Sequence, residues 1–122
     1  MPRGLPSGDR IGHISERERK VGLNEALFRE VNERIERVSD ALQIASERLG
    51  ILCECGDISC MEQLEVPQAE FERVRQDATL FFVRNGHEDE GVEDVVEHHD
   101  HYDVVRKRAE AAALARDLDS RS

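Results

Sequence analysis

The chain has 122 residues, room for one domain or a small domain with an appended element, and few large apolar side chains, with no Trp, one Tyr and four Phe. Its net charge of −10 lies wholly beyond residue 50: residues 1–50 carry nine basic and nine acidic side chains, residues 51–122 eight and eighteen. The acidic part repels phosphate backbones, which argues against nucleic-acid binding through it, and no run approaches the roughly 18 apolar residues of a membrane helix.

A core this small gains from a staple, either a bound metal or a partner subunit. The opening residues, MPRGLPSGDRIGHI, lack the apolar stretch of a secretory signal. Three cysteines leave at least one thiol without an internal partner, and the expected compartment is a reducing cytoplasm, where thiols bind metal or stay free. Among the seventeen basic residues only Lys20 and Lys107 are lysines, a bias in keeping with a GC-rich bacterial genome.

Residues 1–15 hold two of the three prolines and three of the eight glycines with little apolar pattern, and are expected to form a disordered arm. Residues 16–50 follow as a long amphipathic helix, strongest from residue 22. Phe28, Val31, Ile35, Val38, Leu42, Ala45 and Leu49 are spaced alternately three and four apart, and Gly and Pro are absent from 23 to 49. Gly50 is the expected stop and Asn24 the expected N-cap. A repeat of this kind is either a seam for self-association or for a protein partner, or the face of one helix lying on a small sheet.

Residues 51–122 read as a small α+β metal-binding domain. Ile51–Cys55 predicts a strand, Gly56-Asp57 a turn and Met61–Val66 a second strand. Pro67 opens a short helix over QAEFERVRQ, with Phe71 and Val74 on one face. Leu80–Arg84 predicts a strand and Asn85-Gly86 a tight turn. The Val-rich run from Val92 predicts a hairpin turning near His99-Asp100, then a helix over AEAAALARDL; one long helix is the alternative.

The segment ILCECGDISCMEQ carries the chemistry. In an extended strand Cys53 and Cys55 face one side and Glu54 the other, and the Gly-Asp turn returns Cys60 toward them. Zinc prefers thiolate and imidazole, and structural sites close with four protein ligands. His87, just after the Asn85-Gly86 turn, is the expected fourth, making the metal ligands Cys53, Cys55, Cys60 and His87. The alternatives are buried apolar thiols or a reversible disulfide. Without metal, the three crowded thiols are expected to stay protonated.

A second cluster, His98, His99 and His101 with Glu97 and Asp100, is either a divalent-cation site or a polar hairpin tip. No nucleophile elbow, phosphate loop, HExxH helix or dinucleotide fingerprint is present. No catalytic or cofactor-binding residue is assigned, and nothing in the chain argues for an enzyme.

With Cys53-Glu-Cys55, Cys60, Phe71-Glu-Arg-Val-Arg75, Gly86-His87, Val95-Val96-Glu97 and Tyr102-Asp-Val-Val105 in view, the chain resembles an uncharacterised family of short actinobacterial proteins. The resemblance runs from Asn24 and Asn32 to the C-terminus. That family's pattern has an aromatic residue two before the first cysteine and Pro-Gly-His at the later turn, where this chain has Ile51 and Asn85. The resemblance implies a shared fold and site and supplies no activity.

The expected architecture is α+β: a long N-terminal helix, then a small antiparallel sheet with short helices, stapled by zinc. The leading functional expectation is a regulatory or adaptor protein with structural zinc that binds a protein partner. A thiol-based redox or metal sensor using the same cysteines is the second, and a metal-dependent hydrolase built on residues 97–101 the third.

Overall fold

A computed structural model describes residues 15–41, 48–60 and 62–121. The arm expected over 1–15 lies almost wholly outside the described residues.

Helix α1 spans Glu16–Ala41. Its start is fixed by a reciprocal cap: the Glu18 N–H donates to Ser15 Oγ (3.1 Å), and the Ser15 N–H donates to Glu18 Oε1 (2.9 Å). The expected N-cap at Asn24 is therefore corrected; Asn24 sits inside the helix and donates through Nδ2 to the Gly56 carbonyl (3.2 Å). The expected stop at Gly50 is corrected as well. Arg48–Leu52 is a strand, β1, in which Leu49 and Ile51 are buried and their neighbours are not. That period of two places Leu49 in a hairpin rather than at the end of a helical seam.

The seam itself is also revised. Phe28 is buried, Val31 and Ile35 are half-buried, Val38 is 56% exposed, and Leu42 and Ala45 lie outside the described residues. The face that α1 buries instead carries Glu25, Phe28, Arg29, Asn32, Glu33 and Glu36. It is largely polar because partners wait for it. Arg29 donates to the carbonyls of Ala78 (2.7 Å) and Ala115 (2.9 Å) and lies over the Phe81 ring. Arg121 reaches back to Glu33 (2.9 Å), Glu36 and Glu72.

Beyond β1 come β2 (Gln63–Pro67), α2 (Gln68–Arg75), β3 (Leu80–Val83), β4 (Glu93–His98), β5 (Asp103–Lys107) and α3 (Ala109–Asp117). Strands β1 and β2 form an antiparallel hairpin, with Leu52 opposite Gln63, and its connection carries all three cysteines. A separate three-stranded antiparallel sheet has the order β3-β5-β4, with a bulge between Val95 and Glu97. The chain is thus α+β as expected, with two small sheets. The 92–118 region is a hairpin followed by a helix. Helix α2 follows Pro67 and buries Phe71 and Val74.

The core gathers Leu49, Ile51, Leu64, Val66, Phe71, Val74, Phe81, Phe82, Val104 and Val105 between hairpin, sheet and helices. Inside it is a buried carboxylate. Glu54 is fully buried, and its Oε1 accepts the Phe82 N–H (2.9 Å) and Arg75 Nη2 (3.0 Å). Its Oε2 accepts Asn32 Nδ2 (2.7 Å) and Arg75 Nη1 (3.3 Å). Asn32 also satisfies the end of β1, accepting the Leu52 N–H (2.8 Å) and donating to the Leu52 carbonyl (2.9 Å).

A second buried group joins α1 to the three-stranded sheet. Lys107 Nζ contacts Glu25 Oε1 and lies 2.6 Å from Glu93 Oε2, and all three side chains are buried. One ammonium cannot compensate two carboxylates. Burial pushes the Glu25 carboxyl up to about 8, and the charge of Glu93 adds to the rise against the opposing pull of Lys107.

Two predictions follow from these buried groups. Glu54→Ala strands Arg75 as an unpaired buried cation and should cost about 3–5 kcal/mol in chemical denaturation, whereas a loss below about 1 kcal/mol would show that the network is dispensable. For Glu25 the folded carboxyl binds its proton more tightly than the unfolded one. Its contribution is therefore whole below about pH 4.5 and is lost as pH rises toward about 8. Over that window Glu25→Gln should remove a downward slope of up to about 1.4 kcal/mol per pH unit. Parallel stability–pH curves for the two proteins at fixed zinc would contradict the assignment.

Candidate metal centre

Cys53 continues the hairpin ladder one step beyond β1, its N–H donating to the Glu62 carbonyl (2.9 Å). The next residue is held to the other sheet, the Glu54 N–H donating to the Phe82 carbonyl (2.8 Å). Extended backbone between these anchors sends alternate side chains to opposite sides. Glu54 enters the core, and the thiols of Cys53 and Cys55 lie on the other side.

The chain then turns against α1. Gly56 has φ +82°, and a Cβ there would lie 2.7 Å from side-chain carbons of Val21 and Glu25, so only glycine fits both the conformation and the contact. Asp57 Oδ1 accepts from the Ser59 N–H (2.9 Å) and hydroxyl (2.7 Å), and the Cys60 N–H donates to the Asp57 carbonyl (2.9 Å). This turn returns Cys60. The fourth group comes from the end of β3, where the His87 N–H donates to the Arg84 carbonyl (2.9 Å) and Gly86 takes φ +84°. Such a turn requires a residue that tolerates positive φ, which Gly86 supplies.

The structure brings Cys53, Cys55, Cys60 and His87 together, with one donor atom of each within 4.8 Å of all the others. His87 Nδ1 lies 3.6 Å from both Cys53 Sγ and Cys60 Sγ. Bonds of about 2.3 Å to sulfur and about 2.1 Å to nitrogen give a tetrahedron a sulfur–nitrogen edge of about 3.6 Å. Three sulfurs and one imidazole at these separations can hold a metal ion.

The surroundings act on the three sulfurs in opposite directions. The Arg84 N–H donates to Cys53 Sγ (3.2 Å). A hydrogen bond from the Cys53 thiol brings Cys55 down to about 5, and the Asp57 amide acts in the same direction. The same thiol–thiol bond, with burial, pushes Cys53 up, and burial raises Cys60. Cys53 and Cys60 are thus raised, as expected for crowded thiols without metal, and Cys55 departs from the expectation because its neighbours lower it. A dication at the centre would reverse the balance for the other two.

Cys53 and Cys55 are buried, while Cys60 and His87 are half-buried. Cys55 and His87 line an open groove of about 670 Å³ shared with Arg17, Val21, Asp57 and Ile58. Ile58, between Cys55 and Cys60 in the chain, is 66% exposed.

The second cluster disperses. His98 Nδ1 pairs with Asp103 (2.7 Å), His99 Nε2 pairs with Glu97 (3.0 Å) and stacks on Tyr102, and His101 is exposed. Glu70, Glu97 and His99 do bring donor atoms together. However, Arg73 Nη2 already bridges Glu70 (2.6 Å) and Glu97 (2.7 Å), so a cation stands between the carboxylates. Sequence reasoning passed over Glu54, Asn32 and Arg75, which position the thiol-bearing strand. The alternation Cys-Glu-Cys signals that Glu54 faces inward, but nothing local marks its partners.

The burial gradient predicts an order of alkylation. In chelator-treated protein near neutral pH, mass spectrometry should find Cys53 modified last, because it is buried and its sulfur is engaged by the Arg84 amide. Modification of Cys53 as fast as Cys60 would show that the strand carrying it is not held to β3.

Comparison with protein-family models, curated proteins and solved structures finds no match to this chain, so the reading of these four side chains rests on their geometry.

Proposed function

We propose that the protein is a small zinc-binding adaptor or regulatory protein, in which Cys53, Cys55, Cys60 and His87 hold a structural zinc ion and the folded surface acts through contacts with another protein. The observation that carries the metal reading is the pair of 3.6 Å sulfur–nitrogen separations within a four-donor cluster. Three thiolates and a neutral imidazole suit zinc, and four protein ligands leave no open position of the kind catalytic zinc retains. A reducing cytoplasm suits such a thiol site, and no described helix is long and apolar enough to cross a membrane. The adaptor role draws on the absence of any catalytic constellation among the described residues and on the apolar side chains left on the surface.

A thiol-based redox or metal sensor is the second reading, and the groove that reaches Cys55 and His87 favours it. Against it stand the burial of Cys53 and its tie to β3. A switch needs thiolates that oxidants can reach. Mild peroxide, followed by a zinc-binding dye, separates the two: little release accords with structural zinc, and fast reversible release makes the sensor the better reading.

Protein purified without chelator should contain about one zinc per chain. Cobalt substitution should give the intense visible bands of tetrahedral thiolate coordination, diminished in Cys60→Ser. Chelation should lower the melting temperature by at least about 10 °C. Metal-free protein that melts identically with and without chelator would overturn the proposal.

A further inference from the structure

Helix α1 is amphipathic in an unusual sense. Its inward face carries Glu25, Arg29, Asn32 and Glu36, all buried. At 3.6 residues per turn, Leu23, Leu27, Val31 and Val38 fall together on the opposite side. Leu23, Leu27 and Val38 are 44%, 54% and 56% exposed. An apolar stripe on the outside of a helix whose polar side chains are inside marks an interaction surface.

The charges along the stripe specify what covers it. Exposed Lys20 and Arg34 stand on the same face, before Leu23 and between Val31 and Val38, with Arg19 at its edge, and no carboxylate among the described residues pairs with them. Glu30 at its edge is taken by Arg37 (3.6 Å). In a chain with 27 acidic side chains, three cations with no carboxylate partner among the described residues, beside exposed leucines, are a local reversal of sign. A second copy does not answer them. Antiparallel pairing on the stripe sets Arg19 and Lys20 against Arg37, and parallel pairing sets each cation near its own twin. An anionic membrane attracts the cations but is repelled by the net charge of −10, and the stripe has no aromatic anchor.

We propose that the outer face of α1 docks an amphipathic helix of another protein, its apolar seam flanked by Glu or Asp. Leu23, Leu27, Val31 and Val38 receive the seam, and Arg19, Lys20 and Arg34 pair with the flanking carboxylates. This rests on the adaptor reading above and states the chemistry of the partner. The geometry is the helix-on-helix mode in which apolar anchors give affinity and edge charges choose the partner.

The test uses full-length, zinc-loaded protein and two labelled helical peptides of roughly three heptads, both with a Leu seam, one flanked by Glu and the other by Lys. Anisotropy should show the Glu peptide binding at least about tenfold more tightly than the Lys peptide, with the gap closing as salt is raised. Leu27→Asp should abolish binding, and the triple change Arg19→Glu, Lys20→Glu, Arg34→Glu should reverse the preference while circular dichroism stays unchanged. Equal binding of the two peptides, binding of neither, or indifference to Leu27→Asp overturns the proposal. It is overturned equally by a dimer in light scattering that Leu27→Asp dissociates, or by co-sedimentation with phosphatidylserine vesicles in place of peptide binding. Zinc content is measured on the same samples. A zinc-loaded, folded protein that fails the peptide assay refutes the docking face alone, and a protein that carries no zinc when purified without chelator yet binds the Glu peptide refutes the metal reading alone.

Discussion

The fold depends on one buried carboxylate. Glu54 has no exposure to solvent, and it ties together three elements distant in sequence: Asn32 on α1, Arg75 at the end of α2, and the Phe82 amide in β3. Arg75 in turn lies among the rings of Phe71, Phe81 and Phe82 and donates to the Leu80 carbonyl (3.2 Å). Removing an ion pair from water is costly, and the pair adds little to stability by itself. Its value is specificity, since any packing of α1 and α2 that leaves Glu54 or Arg75 unmatched carries an uncompensated buried charge. A core with four Phe, one Tyr and no Trp has few large shapes with which to fix its own arrangement, and polar matching supplies that uniqueness.

The segment that carries Glu54 also serves the candidate metal centre. In Cys53-Glu54-Cys55 the pleat sends one carboxylate inward and two thiols to the opposite side. Strand β3 and the residue that follows it hold both sides, through Phe82 to Glu54 and through the Arg84 amide to the Cys53 sulfur. Its following turn then delivers His87. Donor positions and core packing are therefore set by one short piece of backbone, and an ion bound to the thiols would brace the carboxylate network from outside.

Much of this was legible in the chain. The C-x-C-x4-C spacing, the Gly-Asp turn and a histidine behind Asn85-Gly86 identified four side chains that the fold brings together, because local turn chemistry governs each approach. Pro67, the Phe71–Val74 pair and the valine-rich hairpin were readable for the same reason. Helix α1 was misread where apolar residues were assumed to face inward. Its buried Glu25, Arg29, Asn32 and Glu33 find partners on β5, α3, the Leu52–Glu54 segment and the C-terminal Arg121, pairings 20 to 88 residues apart that periodicity cannot register. The helix start, by contrast, was written locally. Ser15-Glu16-Arg17-Glu18 is a capping-box signature that the Asn24 reading passed over.

The central claim is that metal centre and buried carboxylate form one cooperative unit through β3. Amide hydrogen exchange of the zinc-loaded and chelated proteins tests it most directly. Chelation should deprotect the Phe82 and Leu52 amides, which are bonded to Glu54 and Asn32, together with the Arg84 amide beside the thiols. Deprotection of Arg84 and His87 alone, with Phe82 and Leu52 unchanged, would show that the metal centre and the core network stand independently.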